Sequence, residues 1–238
     1  MPVITVSGSL GSGARDLAQT LARELSLDYV DHEILIEAAR ELGVSVSTVA
    51  SRDEPPGRLR ERLASIMRTL IERSAAAGAA DPLVGGGAGL DMILARTYTE
   101  AAGLESEPGA GQLSDESYLR VLTSVIRGVA ARDNVVILGR GSQAILRHEA
   151  GVLHVYAAAD TEQRIGRLVQ AEGMRRQDAE QRIKQSDSGR REFHRHYFKL
   201  EADDPALYDL AVHTGRIPMP LAVRLVRAVL DERAPRPG

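Results

Sequence analysis

Two groups of residues in this 238-residue chain have types and spacing suited to phosphate chemistry, one of glycines near the N-terminus and one of arginines in the last third. The run Gly8-Ser9-Leu10-Gly11-Ser12-Gly13 follows the apolar segment Val3 to Val6 and precedes a stretch with Leu17, Leu21 and Leu25 at i, i+4 and i+8. These flanks predict strand, loop and helix. In that setting glycines let successive backbone N–H groups converge on a phosphate, and the helix start adds about half a positive charge at the same place. The plainer alternative is an ordinary glycine-rich turn. Ala14 and Arg15 stand where a lysine and a serine or threonine usually complete such a loop. The point charge for the β- and γ-phosphates and the hydroxyl for Mg2+ are therefore missing as written. Arg15 offers a longer-reaching charge, and Asp16 a carboxylate able to hold a metal through water.

The second group comprises eight arginines, at Arg164, Arg167, Arg175, Arg176, Arg182, Arg190, Arg191 and Arg195, on segments whose apolar spacing suits a core poorly. A phosphoryl group in transfer spreads negative charge over its oxygens, and planar guanidinium groups answer it with bidentate bonds. For any single arginine the competing reading is a solvated helix face paired with Glu162, Glu172 or Glu180. Because only Lys184 and Lys199 are lysines, phosphate contacts must come mostly from guanidinium groups or backbone amides.

The elements that must position these residues follow from periodicity. A short segment at Asp28 to Asp31 leads into a helix with Ile34, Leu35, Ala38, Ala39 and Leu42, stopped by Gly43. After Pro55-Pro56-Gly57 comes an amphipathic helix with Leu59, Leu63, Ile66, Met67, Leu70 and Ile71 on one side. The stretches 75–89 and 105–112 read as loops. Ser114 caps a helix that buries Leu119, Leu122, Val125, Ile126 and Val129. Val135-Val136-Ile137-Leu138 is apolar throughout, as a strand covered on both faces requires. A further strand at Val152 to Tyr156 is followed by Asp160-Thr161-Glu162-Gln163, a capping-box pattern. Leu210 to Val212 forms the last strand, and Leu221, Leu225, Val229 and Leu230 mark the last helix. The alternation predicts a parallel, doubly wound α/β sheet.

The net charge of −3 argues against a general nucleic-acid binder. The absence of cysteine excludes disulfides and thiolate chemistry. No basic leader and no run of roughly 20 apolar residues is present, which gives the expectation of a soluble, cytoplasmic protein without a membrane partner. His194 and His196 fall on different sides of a helix, so no metal site is expected from them. The run from Ala38 to Val49 reads like a helix-turn-helix, with a glycine turn and a Ser/Thr-rich second helix. It follows a strand, loop and helix rather than opening its own domain, and Asp53-Glu54 lie just beyond it. Packing on the core through Ala39, Leu42, Val46 and Val49 is the competing reading.

Gly11-Ser12-Gly13-Ala14-Arg15-Asp16-Leu17-Ala18 resembles the G-S-G-G-R-E-I-A loop of cytidylate kinase-like proteins, in which the lysine is likewise missing. Tyr29-Val30-Asp31-His32-Glu33-Ile34-Leu35-Ile36 is similar to that family's Y-D-R-E-L-I segment. Val136-Ile137-Leu138-Gly139-Arg140-Gly141 is similar to its V-I-V-G-R-G, and Tyr208-Asp209-Leu210-Ala211-Val212-His213-Thr214 to its Y-D-L-V-I-N-T. The resemblance implies a P-loop NTPase-like three-layer α/β fold in one domain over residues 1–232. It would carry a helical substrate-binding insertion at about 44–115, an Arg-rich helical lid at about 160–200, and a disordered tail at 233–238.

Carried over from true cytidylate kinases, the resemblance places Arg140 in their G-R-D motif and Asp187 with Arg190 in their lid D-x-x-R, with Arg120 near another substrate arginine. Three departures stand beside it. Gly141 replaces the aspartate of G-R-D, Leu138 an acidic strand-end residue, and His32-Glu33 a Ser-Gly that touches the base. The expected activity is transfer of the γ-phosphate of ATP, with Mg2+ carried by the nucleotide. The triphosphate would lie over Gly8, Ser9, Gly11, Ser12, Gly13, Ala14 and Arg15, with Arg15, Asp16 and Arg190 catalytic. CMP, dCMP or a related monophosphate would lie among Asp31, Arg120, Arg140, Asp187 and Arg190. A nucleotide-binding regulator that lost transfer is the alternative, and DNA binding the third reading.

Overall fold

A computed structural model describes residues 2–31 and 115–233 of the protein. The helices expected between residues 34 and 71, the helix-turn-helix-like run, the two loop stretches, His32, Glu33, Ser114 and residues 234–238 lie outside the described residues. Five strands, β1 (Val3–Gly8), β2 (Asp28–Val30), β3 (Val135–Leu138), β4 (Val152–Ala158) and β5 (Leu210–His213), form one sheet in the order β2-β3-β1-β4-β5. All pairings are parallel, with Val3 opposite Val135 and Val152, and Tyr156 opposite Ser7 and Ala211. β1 is central, and its C-terminal end delivers the glycine loop. With helices on both faces, this is the expected P-loop NTPase-like three-layer α/β fold.

Parallel pairing buries the strands on both faces, which is why Val135, Val136 and Ile137 are all inaccessible. Ile4, Val6, Val136, Leu153 and Val155 face α1 (Ala14–Leu25) and the last helix, α6 (Met219–Arg233). On the other face, Val3, Val30, Val135, Ile137 and Val152 meet α2 (Asp115–Ala130), the short α3 (Ser142–Ile145) and Phe193. Phe193 ends α5 (Arg176–Phe193), which continues as a π-turn over His194–Phe198. Each fully buried Ile, Leu or Val contributes about 1.5–3 kcal/mol, so these two layers hold the strand ends rigid.

The Arg-rich segment is a hairpin of α4 (Thr161–Glu172) and α5, turned at Gly173 with φ 65°. At its start Asp160 and Gln163 form the expected capping box, with the Asp160 N–H donating to Gln163 Oε1 at 3.2 Å. Ile165, Leu168, Ala179 and Ile183 form its own small core, and Leu10 of the glycine loop packs into it. The last helix buries Ala222, Val223 and Val226, while Leu221 and Leu225 face solvent.

Candidate functional site

Gly11 and Gly13 take φ 75° and 78°, a region that costs a side chain roughly 1–2 kcal/mol. Space excludes a side chain as well. A Cβ on Gly8 would strike Ser12 Oγ and come within 2.6 Å of the Ala157 carbonyl, and one on Gly13 would stand 2.9 Å from Arg167 Nη1.

What shapes the loop lies behind it, on α4 and after β5. Arg164 Nε donates to the Leu10 carbonyl at 2.7 Å, and Arg167 Nη1 to the Gly11 carbonyl at 3.0 Å. The Thr214 hydroxyl donates to the Ser12 carbonyl. Arg167 also donates to Thr214 Oγ1 and to the Thr214 carbonyl, each at 2.9 Å. A trans peptide points its N–H opposite to its C=O. With the carbonyls of Leu10 and Ser12 drawn back, the N–H groups of Gly11 and Gly13 face away from α4, toward the mouth of the loop. The Ser12 N–H is held inside the turn by the Ser9 carbonyl at 2.9 Å. Ser12 Oγ is buried above Gly8 without a hydrogen-bond partner. Forward-facing amides, a helix start and an orphaned buried hydroxyl fit a phosphate group.

The same residues offer Mg2+ no direct ligand at positions 14 and 15, which leaves the Asp16 carboxylate to hold it through water. Ala14 has no donor atom, Arg15 is itself a cation, and among the described residues no cluster of three or more His, Asp or Glu side chains is found. Arg15 and Asp16 are exposed on the first turn of α1. Burial, and then the Asp31 carboxylate, push the Tyr29 hydroxyl far above its usual range, with the Arg15 charge pulling the other way. Burial raises Glu172, again opposed by Arg15. The Arg15 charge is thus felt both at Tyr29 of β2, beside buried Asp31, and at Glu172, which ends α4.

Arg140 sits in a left-handed turn whose three residues, Gly139, Arg140 and Gly141, have φ 70°, 57° and 68°. The Gly139 N–H bonds the Val6 carbonyl at 2.9 Å, tying this turn to β1 just before the glycine loop. Phe198 packs over Gly141, so that a Cβ there would overlap the ring, 2.7 Å from Cζ and nearer still to Cε2. This explains why no aspartate follows Arg140. Arg120 is exposed on α2, which leads into β3 from the opposite direction, so its N-terminal half lies toward the edge that holds the loop and Arg140.

The arginines of the α4–α5 hairpin are mostly engaged with carboxylates. Arg164, side chain 8% exposed, grips Asp187 with two bonds of 2.9 and 2.7 Å, so Asp187 serves the back of the glycine loop. Arg175 meets Asp178, Arg176 meets Glu162 and Glu180, Arg182 meets Glu172, and Arg195 meets Glu201. Arg190 pairs with Asp203 and donates to Tyr156 Oη at 3.3 Å and the Ala202 carbonyl at 3.2 Å. Its guanidinium carbon lies 5.6 Å from the Tyr156 ring centre, above the strand end beside Ser7.

The structure thus brings Gly8 to Asp16, Asp31, Arg120, Arg140 and Arg190 to one edge of the sheet and sets Asp187 behind the loop. Thr214 and, beyond its place in the arginine group, Arg167 are the functional candidates whose roles sequence reasoning missed. Arg164 and Arg167 at i, i+3 on a helix after a capping box, and Thr214 ending the last strand's motif, were the available signals.

The cytidylate kinase-like family model matches residues 3–216. A solved structure of an uncharacterized protein from Eubacterium ventriosum is 15% identical with TM-score 0.58, covering 97% of this chain and 99% of that one. Shikimate kinase from Acinetobacter baumannii, solved with shikimate, is 13% identical with TM-score 0.46, covering 99% and 96%. Shikimate kinase from Bacteroides thetaiotaomicron is 12% identical with TM-score 0.47, covering 97% and 98%. No curated protein matches the chain by sequence.

Proposed function

The chain belongs to the cytidylate kinase-like family, and from that premise we propose that it is a nucleoside monophosphate kinase transferring the γ-phosphate of ATP to CMP, dCMP or a related monophosphate. The observation that carries the reading is the glycine loop, with the Leu10 and Ser12 carbonyls drawn back by Arg164 and Thr214 so that the amides of Gly11 and Gly13 point forward. Arg167, half-buried behind Gly11 and Gly13, adds positive charge to the back of the loop, and Arg15 adds a second charge from the first turn of α1.

The donor triphosphate lies over Gly8 to Arg15, and the acceptor monophosphate among Asp31, Arg120 and Arg140. An acceptor phosphate oxygen attacks the γ-phosphorus as its bond to the β,γ-bridging oxygen breaks, giving a diphosphate and ADP. The protein's part is positioning and charge stabilisation, as is general for this reaction. Arg190 stabilises the transferring group once it leaves Asp203. Mg2+ enters with the nucleotide and supplies charge neutralisation, and the Asp16 carboxylate would hold it through water.

A nucleotide-binding regulator of the same fold is the second reading. The carboxylate pairs of Arg190 and of the other lid arginines favour it, because each pair must open before its guanidinium meets a phosphate. Purified protein incubated with ATP, Mg2+ and each nucleoside monophosphate, read as ADP formed, separates the two. Turnover on a pyrimidine monophosphate is expected. ATP binding without turnover on any of them would replace the first reading with the second.

A further inference from the structure

On the face of the sheet away from α1 lies a buried hydrogen-bonded chain that joins three elements. Ser7 is the residue before Gly8, Gln143 lies on α3 just past the Arg140 turn, and His194 is the first residue after α5. Their exposures are 4%, 0% and 4%. Ser7 Oγ is 3.0 Å from Gln143 Oε1, Gln143 Nε2 is 2.8 Å from His194 Nε2, and His194 Nδ1 is 2.8 Å from the Arg190 carbonyl. A branch runs from Gln143 Nε2 to Tyr208 Oη at 3.4 Å, and from that hydroxyl to the Ala202 carbonyl at 2.8 Å. The Ala202 carbonyl also accepts from Arg190.

Chemistry fixes the imidazole and amide protons of this chain. The Arg190 carbonyl can only accept, so His194 Nδ1 must carry a hydrogen. Burial and the neighbouring Arg190 charge disfavour an imidazolium, with the backbone bond to Arg190 opposing them. Nε2 is then bare and accepts from the Gln143 amide nitrogen. The Gln143 oxygen is left facing Ser7, whose hydroxyl donates to it.

We infer that Gln143 and neutral, Nδ1-protonated His194 are positioning residues, which fasten the end of the lid helix, and with it Arg190, to the strand that leads into the glycine loop. The chain holds the Arg190 main chain from one side and, through Ala202, its guanidinium from the other. A change at the loop strand therefore reaches Arg190 through three hydrogen bonds, without passing through α4. The kinetic consequence rests on the kinase reading above; the structural one does not.

The experiment uses the full chain with Gln143→Leu, Gln143→Glu and Ser7→Ala. In wild type, long-range 15N–1H spectra of His194 should show one proton, on Nδ1, at neutral pH. Gln143→Glu places an acceptor opposite Nε2, so His194 should take a second proton and titrate at higher pH, while Arg190 stays in place. Gln143→Leu removes the bonds to Ser7, His194 and Tyr208. The Arg190 guanidinium protons should then exchange with water about tenfold faster, and acceptor kcat/KM should fall about tenfold with ATP affinity within about twofold of wild type. If Gln143→Leu does not fold, Ser7→Ala takes its place, with faster Arg190 exchange and an unchanged His194 tautomer expected. A wild-type His194 protonated on Nε2 alone, or charged, overturns the inference. So does a folded Gln143→Leu variant with unaltered Arg190 exchange. If no monophosphate is turned over by wild type, the kinase reading fails, and the tautomer and exchange results still decide this one.

Discussion

At the residue scale, backbone conformation and side-chain chemistry meet at two positions. Gly13 has φ 78° and its missing side chain leaves room for Arg167. Gly13→Val should abolish ATP binding, measured by titration calorimetry, because it strains the loop and displaces the guanidinium at once. Unchanged affinity would reduce the loop to a turn. Arg140 occupies the left-handed region at φ 57° between two glycines. Replacing it by Gly or by Ala removes the same guanidinium, but only Ala retains the strain. The Gly variant should unfold at higher denaturant than the Ala variant, by about 1 kcal/mol, while both lose monophosphate affinity by roughly ten- to a hundredfold. Equal stability of the two variants would mean that the turn relaxes, and intact affinity would make Arg140 a fastening residue.

At the scale of elements, α4 acts as a buttress for the glycine loop, and the π-turn after α5 as a cover for the Arg140 turn. Phe198 fills the space where a side chain at Gly141 would project. Gly141→Asp should destabilise the protein by about 2–4 kcal/mol, combining overpacking with a left-handed aspartate. The second change Phe198→Ala should recover part of that loss. A thermal-melt double-mutant cycle reads the coupling, and additive effects would show that the ring and the glycine are independent.

For the whole molecule, pH acts through buried histidines. Burial holds His154 and His194 below their ordinary value of 6.5. His154 is hydrogen-bonded to Thr5 at 2.7 Å inside the sheet. Below about 6.5 the unfolded chain takes up protons on these side chains and the folded one does not, so stability falls as pH drops through that value and levels off only below the folded-state values. Urea midpoints measured from pH 7.5 to 5.5 should decline, and His194→Gln should shallow the decline. A flat profile in wild type would mean that neither histidine is held neutral.

Among the described residues, the sequence by itself determined four of the five strands and the long helices at the N-terminus, before β3, after Asp160 and at the C-terminus, but not the short α3. Strand, glycine loop and helix at the N-terminus, the wholly apolar β3, and the helix that follows Asp160 all rest on local periodicity and caps, which act over a few residues and so can be read along the chain. It also supplied the loop residues and Arg140, because glycines at fixed spacing and an arginine at a strand end are local signals. The tertiary structure decided what the arginines do. Whether Arg164 meets a phosphate or Asp187, 23 positions away, and whether Arg167 faces solvent or the Gly11 carbonyl, 156 positions away, depends on the packing of α4 against α5 and of both against the loop. The Ser7, Gln143 and His194 chain is of the same kind. Three common residues far apart in sequence acquire a joint role only because β1, α3 and α5 converge, and polar groups shut away from water must then find one another.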